Sequence, residues 1–313
     1  MGLERPGGVP GEGAATSSTR STLGHIVRTM RPRQWTKSLL VFVAPAAAGV
    51  LDHRTAALRA LAAFGIFCVA ASGTYLVNDA VDAEADRRHP EKRHRPVAAG
   101  AVSAMLVAQV GAVLLASAVV AAWFVGHWQL VLVVGIYVTV STAYSVRLKR
   151  EPVVELAAVA SGFVLRAIAG GVATHVPLSN WFLVVTSFGA LFLATGKRAA
   201  EHLRLGEDRA AHRAVLAAYT PSFLRSTLTL TAAVTVTGYC LWAFERTGIA
   251  SRAGHHFVWI QLTVAPMILG VLYVLWLLDA GRGGAPEDLI LHDRFLQFLG
   301  VVWVALFAIG LYA

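Results

Sequence analysis

Long apolar runs recur along almost the whole chain of 313 residues and constrain its fold more than any other feature. Each run is about 15 to 23 residues long, close to the roughly 20 residues that an α-helix needs to cross a bilayer. Only 14% of the residues are charged, whereas soluble domains carry about 25%. A membrane β-barrel would instead show alternating segments of about ten residues. The sequence therefore predicts an all-α, polytopic integral membrane bundle.

The apolar runs predict about nine transmembrane helices, of which the first is the shortest. Their predicted bounds are Ser38–Leu51, Arg59–Val77, Val102–Val125, Trp128–Val146, Val153–Thr174, Leu178–Gly196, Leu224–Phe244, Phe257–Leu278 and Phe295–Ala313. Residues 1–24 are rich in Gly, Pro, Ser and Thr, and we predict a disordered tail there. Residues 25–313 are predicted to form one transmembrane domain.

Positive charge is distributed unevenly over the loops. With the N-terminus in the cytoplasm, only four of the 27 Lys and Arg residues fall on the outer side, namely Arg54, Arg59, Arg246 and Arg252. The positive-inside rule therefore predicts a plasma-membrane protein whose N-terminus and long charged loops, 79–100 and 197–221, are cytoplasmic. The net charge of +9 reflects this topology or attraction to anionic lipids and phosphorylated substrates. Without a basic soluble domain, nucleic-acid binding is not expected.

An acidic cluster lies where the second apolar run meets a basic loop. It consists of Asn78, Asp79, Asp82 and Asp86. At about 100° per residue, a helix would place these side chains within roughly a 100° arc, with Asp79 and Asp86 almost in line. Carboxylate and amide oxygens suit Mg²⁺, which is usually shared with substrate phosphates. We predict that all four residues are metal ligands and that the three aspartates are catalytic, although an acidic helix end paired with Arg87 and Arg88 is the alternative.

Basic and polar side chains near the cytoplasmic helix ends are candidates for phosphate contacts. Arg95 precedes Pro96, which restricts the backbone and fixes its direction. Arg166 is the only central charge in any predicted helix, and such a residue either serves a functional site or forms structural hydrogen bonds. Other candidates equally complement a helix C-terminus or pair within a helix end. The predicted substrate-binding residues are Lys37, Arg95, Tyr144, Lys149, Arg150, Arg166, Lys197, Arg198 and Glu201.

The motif Asn-Asp-x-x-Asp-x-x-x-Asp after the second helix resembles that of the UbiA-type superfamily of intramembrane prenyltransferases. The resemblance covers residues 25 to 313 and implies a nine-helix catalytic domain that uses Mg²⁺. Typical members carry a second Asp-rich motif after the sixth helix, where this chain has the sequence Thr195-Gly196-Lys197-Arg198-Ala199-Ala200-Glu201. A cation pair does not host Mg²⁺, but it can bind a phosphate directly.

This variant is similar to the actinobacterial branch of that superfamily that makes decaprenylphosphoryl-5-phosphoribose. The stretches 31–37, 148–150, 161–171 and 196–198 carry the similarity. The resemblance implies a Mg²⁺-dependent membrane glycosyltransferase that moves 5-phosphoribosyl from phosphoribosyl pyrophosphate to polyprenyl phosphate and feeds cell-wall arabinan synthesis. An aromatic prenyltransferase and a non-catalytic lipid-phosphate transporter are the alternatives. The sequence leaves open the polyprenyl length, the number of metal ions and whether the chain forms a homo-oligomer.

Overall fold

The computed structural model describes residues 13–205, 214–252, 258–281, 289 and 292–312. In chain order the α-helices are α1 Gly13–Met30, α2 Val43–Ala47, α3 Arg54–Val81, α4 Ala83–Arg88, α5 Ala104–Val146, α6 Val154–Thr174, α7 Asn180–Leu205, α8 Ala214–Ala218, α9 Pro221–Arg252, α10 Val258–Leu262, α11 Val264–Asp279 and α12 Arg294–Tyr312. Within the described ranges, 3₁₀ segments cover Pro32–Phe42, Lys92–His94 and Leu148–Arg150. The chain is an all-α multi-pass membrane protein, as predicted.

Seven helical stretches in the described part of the chain are long and apolar enough to cross a membrane. They are Arg54–Val81, Ala104–Val146, Val154–Thr174, Asn180–Leu205, Pro221–Glu245, Val258–Asp279 and Arg294–Leu311. The predicted count of nine is therefore not confirmed. The longest stretch, α5, contains a break at Gly126 and His127, whose φ angles are −132° and 50°. This break lies between the two segments predicted there, at 102–125 and 128–146.

The first predicted segment, Ser38–Leu51, is not one long helix. Its residues continue the 3₁₀ segment to Phe42 and then form the short helix α2, which contains Pro45. This irregular backbone crosses α6 at very close range, because a Cβ added to Gly170 would lie 1.7 Å from the carbonyl oxygen of Val41. Only a residue without a side chain allows that crossing.

Two of the predicted loops are shorter than expected. Helix α3 runs on to Val81, and α4 follows it directly, so that the acidic cluster belongs to helices. Helix α7 continues to Leu205, well beyond the predicted end at Gly196. Lys197, Arg198 and Glu201 therefore lie on a helix and not in a cytoplasmic loop.

The apolar core has two main parts. The first is shared by α3, α5 and α6 and includes Phe67, Leu130 and Val134, while the second joins α7, α9, α11 and α12. Small residues allow close helix contact in the first part: a Cβ on Gly73 of α3 would lie 2.9 Å from the carbonyl oxygen of Gly111 on α5. Such small-residue crossings are typical of helix packing in membranes.

The N-terminal region differs from the prediction. Helix α1 begins at Gly13. The second half of the predicted disordered tail, residues 13–24, is therefore helical. Residues 1–12 lie outside the described residues, as do Phe257 and Ala313 at the predicted ends of two transmembrane segments. Helix α1 packs against α3 and brings the basic segment that follows it to the acidic end of α3.

Candidate active site

Asp79 is the most buried carboxylate of the acidic cluster, with 2% of its surface exposed. It lies in the last turn of α3 and forms an ion pair with Arg31, whose Nη2 lies 2.6 Å from its Oδ1. The guanidinium of Arg31 also stacks on the ring of Tyr75, 5.0 Å from the centroid. The N-terminal segment thus supplies the counter-charge for a carboxylate that would be costly to bury alone.

Arg95 connects two members of the cluster. Its Nη1 lies 2.7 Å from Oδ2 of Asp86 and 3.3 Å from Oδ1 of Asp79. The structure therefore brings Asp79 and Asp86 together on one side, as the helical spacing predicts. The backbone of Arg95 is extended, with φ −66° and ψ 145°, as expected before Pro96.

Asp82 points towards a different part of the protein. It caps the C-terminal end of α3 and forms an ion pair with the amine of Lys149 from the 3₁₀ segment that follows α5. The acidic cluster is thereby tied to three separate basic segments, represented by Arg31, Arg95 and Lys149. Of these three cations, Arg95 and Lys149 are predicted substrate-binding residues, whereas Arg31 is an addition.

The chemistry of the cluster suits Mg²⁺, because Asn78 and the three carboxylates offer the hard oxygen ligands that this ion prefers. Within the described residues, however, no group of three or more Asp, Glu, His or Cys side chains converges in a way that could hold a metal ion. Each carboxylate is balanced by Arg or Lys instead. The three predicted carboxylate ligands thus face cations.

A polar cavity of about 260 Å³ opens beside Asp79. The cations Arg28, Arg31 and Arg95 line it together with His94, and two carboxylates, Asp79 and Glu91, are also part of its wall. A cavity with this lining can accept a phosphate group. Arg31 is not among the predicted site residues, although it belongs to the stretch 31–37 that carries the resemblance.

Arg166 lies inside the bundle, about 7% exposed, and each nitrogen of its guanidinium donates to a neutral group. It donates to the carbonyl of Gly162 at 2.6 Å, to the hydroxyl of Tyr137 at 3.0 Å and to that of Ser38 at 3.5 Å. The rings of Phe67 and Tyr137 also lie within 6 Å of its charge. This geometry favours the structural alternative left open by the sequence over contact with substrate.

Arg198 is likewise enclosed by the protein. Its Nε and Nη2 donate to the two carboxylate oxygens of Glu155 at 2.7 and 2.9 Å, and its Nη1 lies 2.7 Å from Glu201. Glu155 is completely buried and also accepts a hydrogen bond from the hydroxyl of Tyr219 at 3.3 Å. The geometry favours a salt-bridged helix end over phosphate contact for Arg198 and Glu201. Sequence reasoning missed Glu155 and Tyr219, because neither forms a local motif with α7.

The other predicted substrate-binding residues surround these clusters. The amine of Lys37 lies over the ring of Phe163, 5.8 Å from its centroid. Arg150 is exposed at the end of its 3₁₀ segment, whereas Tyr144 and Lys197 are half-buried. Lys37, Lys149 and Arg150 lie on 3₁₀ segments that contact α6, whereas Lys197 lies on α7.

The chain is similar over most of its length to named proteins. The chain is 40% identical over 301 residues to decaprenyl-phosphate phosphoribosyltransferase of Mycolicibacterium smegmatis, covering 94% of each protein. It is 42% identical over 299 residues to the protein of the same name from Mycobacterium tuberculosis, covering 94% of this chain and 96% of the relative.

Solved structures share the fold at much lower identity. A UbiA homolog from Archaeoglobus fulgidus bound to DMAPP and Mg²⁺ superimposes with a TM-score of 0.68 at 17% identity, covering 91% of this chain and 97% of that one. The model of the UbiA prenyltransferase family matches residues 38–311, which include the acidic cluster and every helix from α3 to α11. The chain therefore belongs to the UbiA prenyltransferase family.

Proposed function

We propose that this protein transfers a 5-phosphoribosyl group from phosphoribosyl pyrophosphate to decaprenyl phosphate and releases pyrophosphate. The observation that carries the proposal is the near full-length similarity, at 40% and 42% identity, to two relatives named decaprenyl-phosphate phosphoribosyltransferase. This identity is more than twice the 17% identity to a structure that shares only the fold. The enzyme is accordingly a membrane glycosyltransferase within a family named after prenyl transfer.

The proposed reaction is a substitution at C1 of the ribose. The bond from C1 to the pyrophosphate oxygen breaks, the electron pair leaves with pyrophosphate, and an oxygen of the lipid phosphate forms the new bond to C1. The lipid phosphate is already anionic at neutral pH, so no side chain has to remove a proton from it. The task of the protein is then to orient two anionic substrates and to stabilise charge on the leaving group, which is commonly the largest catalytic contribution.

The acidic cluster is proposed to hold Mg²⁺ through Asn78, Asp79, Asp82 and Asp86. When bound, the ion would neutralise the pyrophosphate and thereby make it a better leaving group. The oxygen-only donor set has the composition that Mg²⁺ prefers. Within the described residues the carboxylates do not converge on one point, so binding of the ion requires them to leave the cations that they face.

The cations beside the cluster suit the phosphate groups of the donor. Arg31, Arg95 and Lys149 now balance carboxylates, and each carries N–H donors that bind phosphate oxygens equally well. We propose that these three residues exchange carboxylate for phosphate when the donor binds. The 260 Å³ cavity lined by Arg28, Arg31 and His94 offers room beside the cluster for part of that ligand.

The region that follows the sixth predicted span also supports phosphoribosyl transfer over aromatic prenyl transfer. Lys197 and Arg198 occupy the place where the resemblance leads one to expect acidic residues, so a second metal site is not proposed there. Lys197 is half-buried and is proposed to contact a phosphate, whereas Arg198 pairs with Glu155. We further propose that the site opens to the cytoplasm at the plasma membrane, and that the product supplies cell-wall arabinan synthesis.

A direct assay tests the proposal. Purified protein in membranes is incubated with phosphoribosyl pyrophosphate labelled in the ribose, decaprenyl phosphate and Mg²⁺, and label is measured in the lipid phase. We expect lipid-soluble label that depends on decaprenyl phosphate and on a divalent cation, together with release of pyrophosphate. The matched inactive control is Asp79→Asn, which keeps the shape of the buried side chain and removes its charge.

Other outcomes would contradict the proposal. Absence of lipid-soluble label from the wild-type protein rejects phosphoribosyl transfer. Transfer from a prenyl diphosphate to an aromatic acceptor under the same conditions would support the prenyltransferase alternative. Equal labelling with Asp79→Asn would remove the acidic cluster from the mechanism.

A further inference from the structure

A buried network joins the start of α6 to α7 and to the segment before α9. At its centre, Arg198 forms a two-pronged ion pair with Glu155 and a third bond with Glu201. Arg198 and Glu155 are 4% and 0% exposed, so this is the most enclosed ion pair among the described residues. Paired and fully hydrogen-bonded charges of this kind fix the relative position of the helices that carry them.

Tyr219 extends the network to a strained turn. Its hydroxyl donates to Glu155 at 3.3 Å and accepts a hydrogen bond from the backbone N–H of Val153 at 2.9 Å. Val153 has φ 66° and ψ −49°, and a positive φ is a genuine outlier for a β-branched residue. Such a conformation persists only where surrounding contacts enforce it. Tyr219 supplies one of those contacts from a distant part of the chain.

The strained turn lies directly after the 3₁₀ segment that carries Lys149. That segment spans Leu148–Arg150, and only two residues separate it from Val153. Lys149 in turn forms an ion pair with Asp82 of the acidic cluster. The short connection from α5 to α6 is therefore held at one end by Tyr219 and at the other by Asp82.

We propose that Glu155, Arg198 and Tyr219 are positioning residues. They hold the connection from Leu148 to Val153, and with it Lys149, against the acidic cluster. The inference rests on the proposed function, in which Lys149 binds a substrate phosphate. None of the three positioning residues has to touch a substrate, because each is bonded within the network: Arg198 to both glutamates, and Tyr219 to Glu155 and Val153. Arg198 thus aligns Lys149 from the side of the bundle where other members of the family are expected to place a second acidic motif.

A labelling experiment tests the proposal without relying on catalysis. The folded protein is treated briefly with acetic anhydride, and acetylation of Lys149 and Lys92 is compared by peptide mass spectrometry. In Tyr219→Phe and Glu155→Gln, we expect labelling of Lys149 to rise at least about threefold relative to Lys92, because a loosened turn releases the amine from Asp82. Unchanged labelling of Lys149 in both variants would overturn the proposal.

A kinetic cycle provides the second test. Tyr219→Phe is expected to lower kcat/KM about tenfold in the wild-type background and less than about twofold when Lys149→Arg is also present, since both changes disturb one contact. Independent, multiplicative losses would mean that Tyr219 acts only on general stability and would overturn the proposal. Arg225→Ala, which removes an exposed 3.5 Å pair with Asp279, is the matched control and is expected to change neither readout. If the wild-type protein shows no activity, the labelling result still decides the positioning role.

Discussion

Arg31 and Asp79 form a 2.6 Å ion pair across 48 positions of the sequence. Arg31 itself has a left-handed backbone, with φ 54° and ψ 62°, at the junction between α1 and the 3₁₀ segment. This conformation is uncommon for a residue with a side chain, and it directs the guanidinium towards the buried end of α3. The N-terminal helix therefore belongs to the site, and not merely to the membrane surface.

Replacing Arg31 by Gln is expected to weaken donor binding. The change removes a charged hydrogen-bond donor beside Asp79, so kcat/KM for phosphoribosyl pyrophosphate should fall about tenfold to a hundredfold, mainly through a higher KM. The measurement is initial-rate kinetics in membranes. Arg33→Gln is the matched control, because Arg33 is exposed two residues further on. Equal effects of the two changes would argue against a specific role for Arg31.

Asp86→Asn tests the part of the acidic cluster that lies on α4. Loss of this carboxylate should lower kcat at least about a hundredfold and raise the Mg²⁺ concentration needed for half-maximal activity. Glu84→Gln on the same helix is the control, since Glu84 is exposed and forms an ion pair with Arg88. A Mg²⁺ titration that is identical for Asp86→Asn and the wild type would contradict the proposed metal ligand.

Arg166→Lys is expected to destabilise the bundle rather than to change substrate affinity. An amine cannot reproduce the planar set of bonds to Gly162, Tyr137 and Ser38. The free energy of unfolding should fall by about 2–3 kcal/mol, and by about 1 kcal/mol in Tyr137→Phe, which loses one of these bonds. Thermal unfolding in detergent measures both. Unaltered stability combined with a raised KM would restore the predicted substrate-binding role.

Gly170→Ala should be one of the most damaging small changes in the chain. Its added Cβ would lie 1.7 Å from the carbonyl oxygen of Val41, so the 3₁₀ segment would have to move away from α6. We expect a loss of about 3 kcal/mol in the free energy of unfolding. Gly135→Ala on α5 is the control: nothing lies within 4 Å of its added Cβ, and the change should be neutral or slightly stabilising.

The raised pKa of Tyr219 predicts that the protein loses stability at alkaline pH. Burial, followed by the charge of Glu155, raises its pKa to about 12, while the hydrogen bond from Val153 acts in the opposite direction. An unfolded tyrosine ionises near pH 10, so folding favours the protonated form, and this stabilisation is present below about pH 10 and lost as the pH approaches 12. The difference in melting temperature between the wild type and Tyr219→Phe should therefore be constant from pH 7 to 9 and shrink above pH 10. A difference that grows above pH 10 would contradict the assigned pKa direction.

The membrane character and the position of the acidic cluster follow directly from local sequence. Apolar length predicts the spans, and the Gly126-His127 break falls in the gap between two of them. The spacing of Asp79 and Asp86 predicts that they face the same way, and both pair with Arg95. These features depend on periodicity and on backbone rules that act within a few residues.

Features set by long-range contacts were not predictable in the same way. The charged residues after Gly196 predict the end of a helix there, but Lys, Arg, Ala and Glu all favour helices and α7 continues to Leu205. The ion pair between Glu155 and Arg198 spans 43 positions, and no periodic pattern connects such distant residues. The 3₁₀ segment from Pro32 to Phe42 likewise depends on the narrow crossing at Gly170, which is a tertiary contact.

The neutral surroundings of Arg166 have a consequence for ion permeability. In the described part of the chain, no carboxylate forms an ion pair with it, so its positive charge is uncompensated inside the bundle. It stacks on Phe67, 12 residues or roughly 18 Å along α3 from Asp79. A fixed guanidinium at that depth repels protons and metal cations. A cation that entered the bundle from the end that carries the acidic cluster would therefore meet an electrostatic barrier at Arg166.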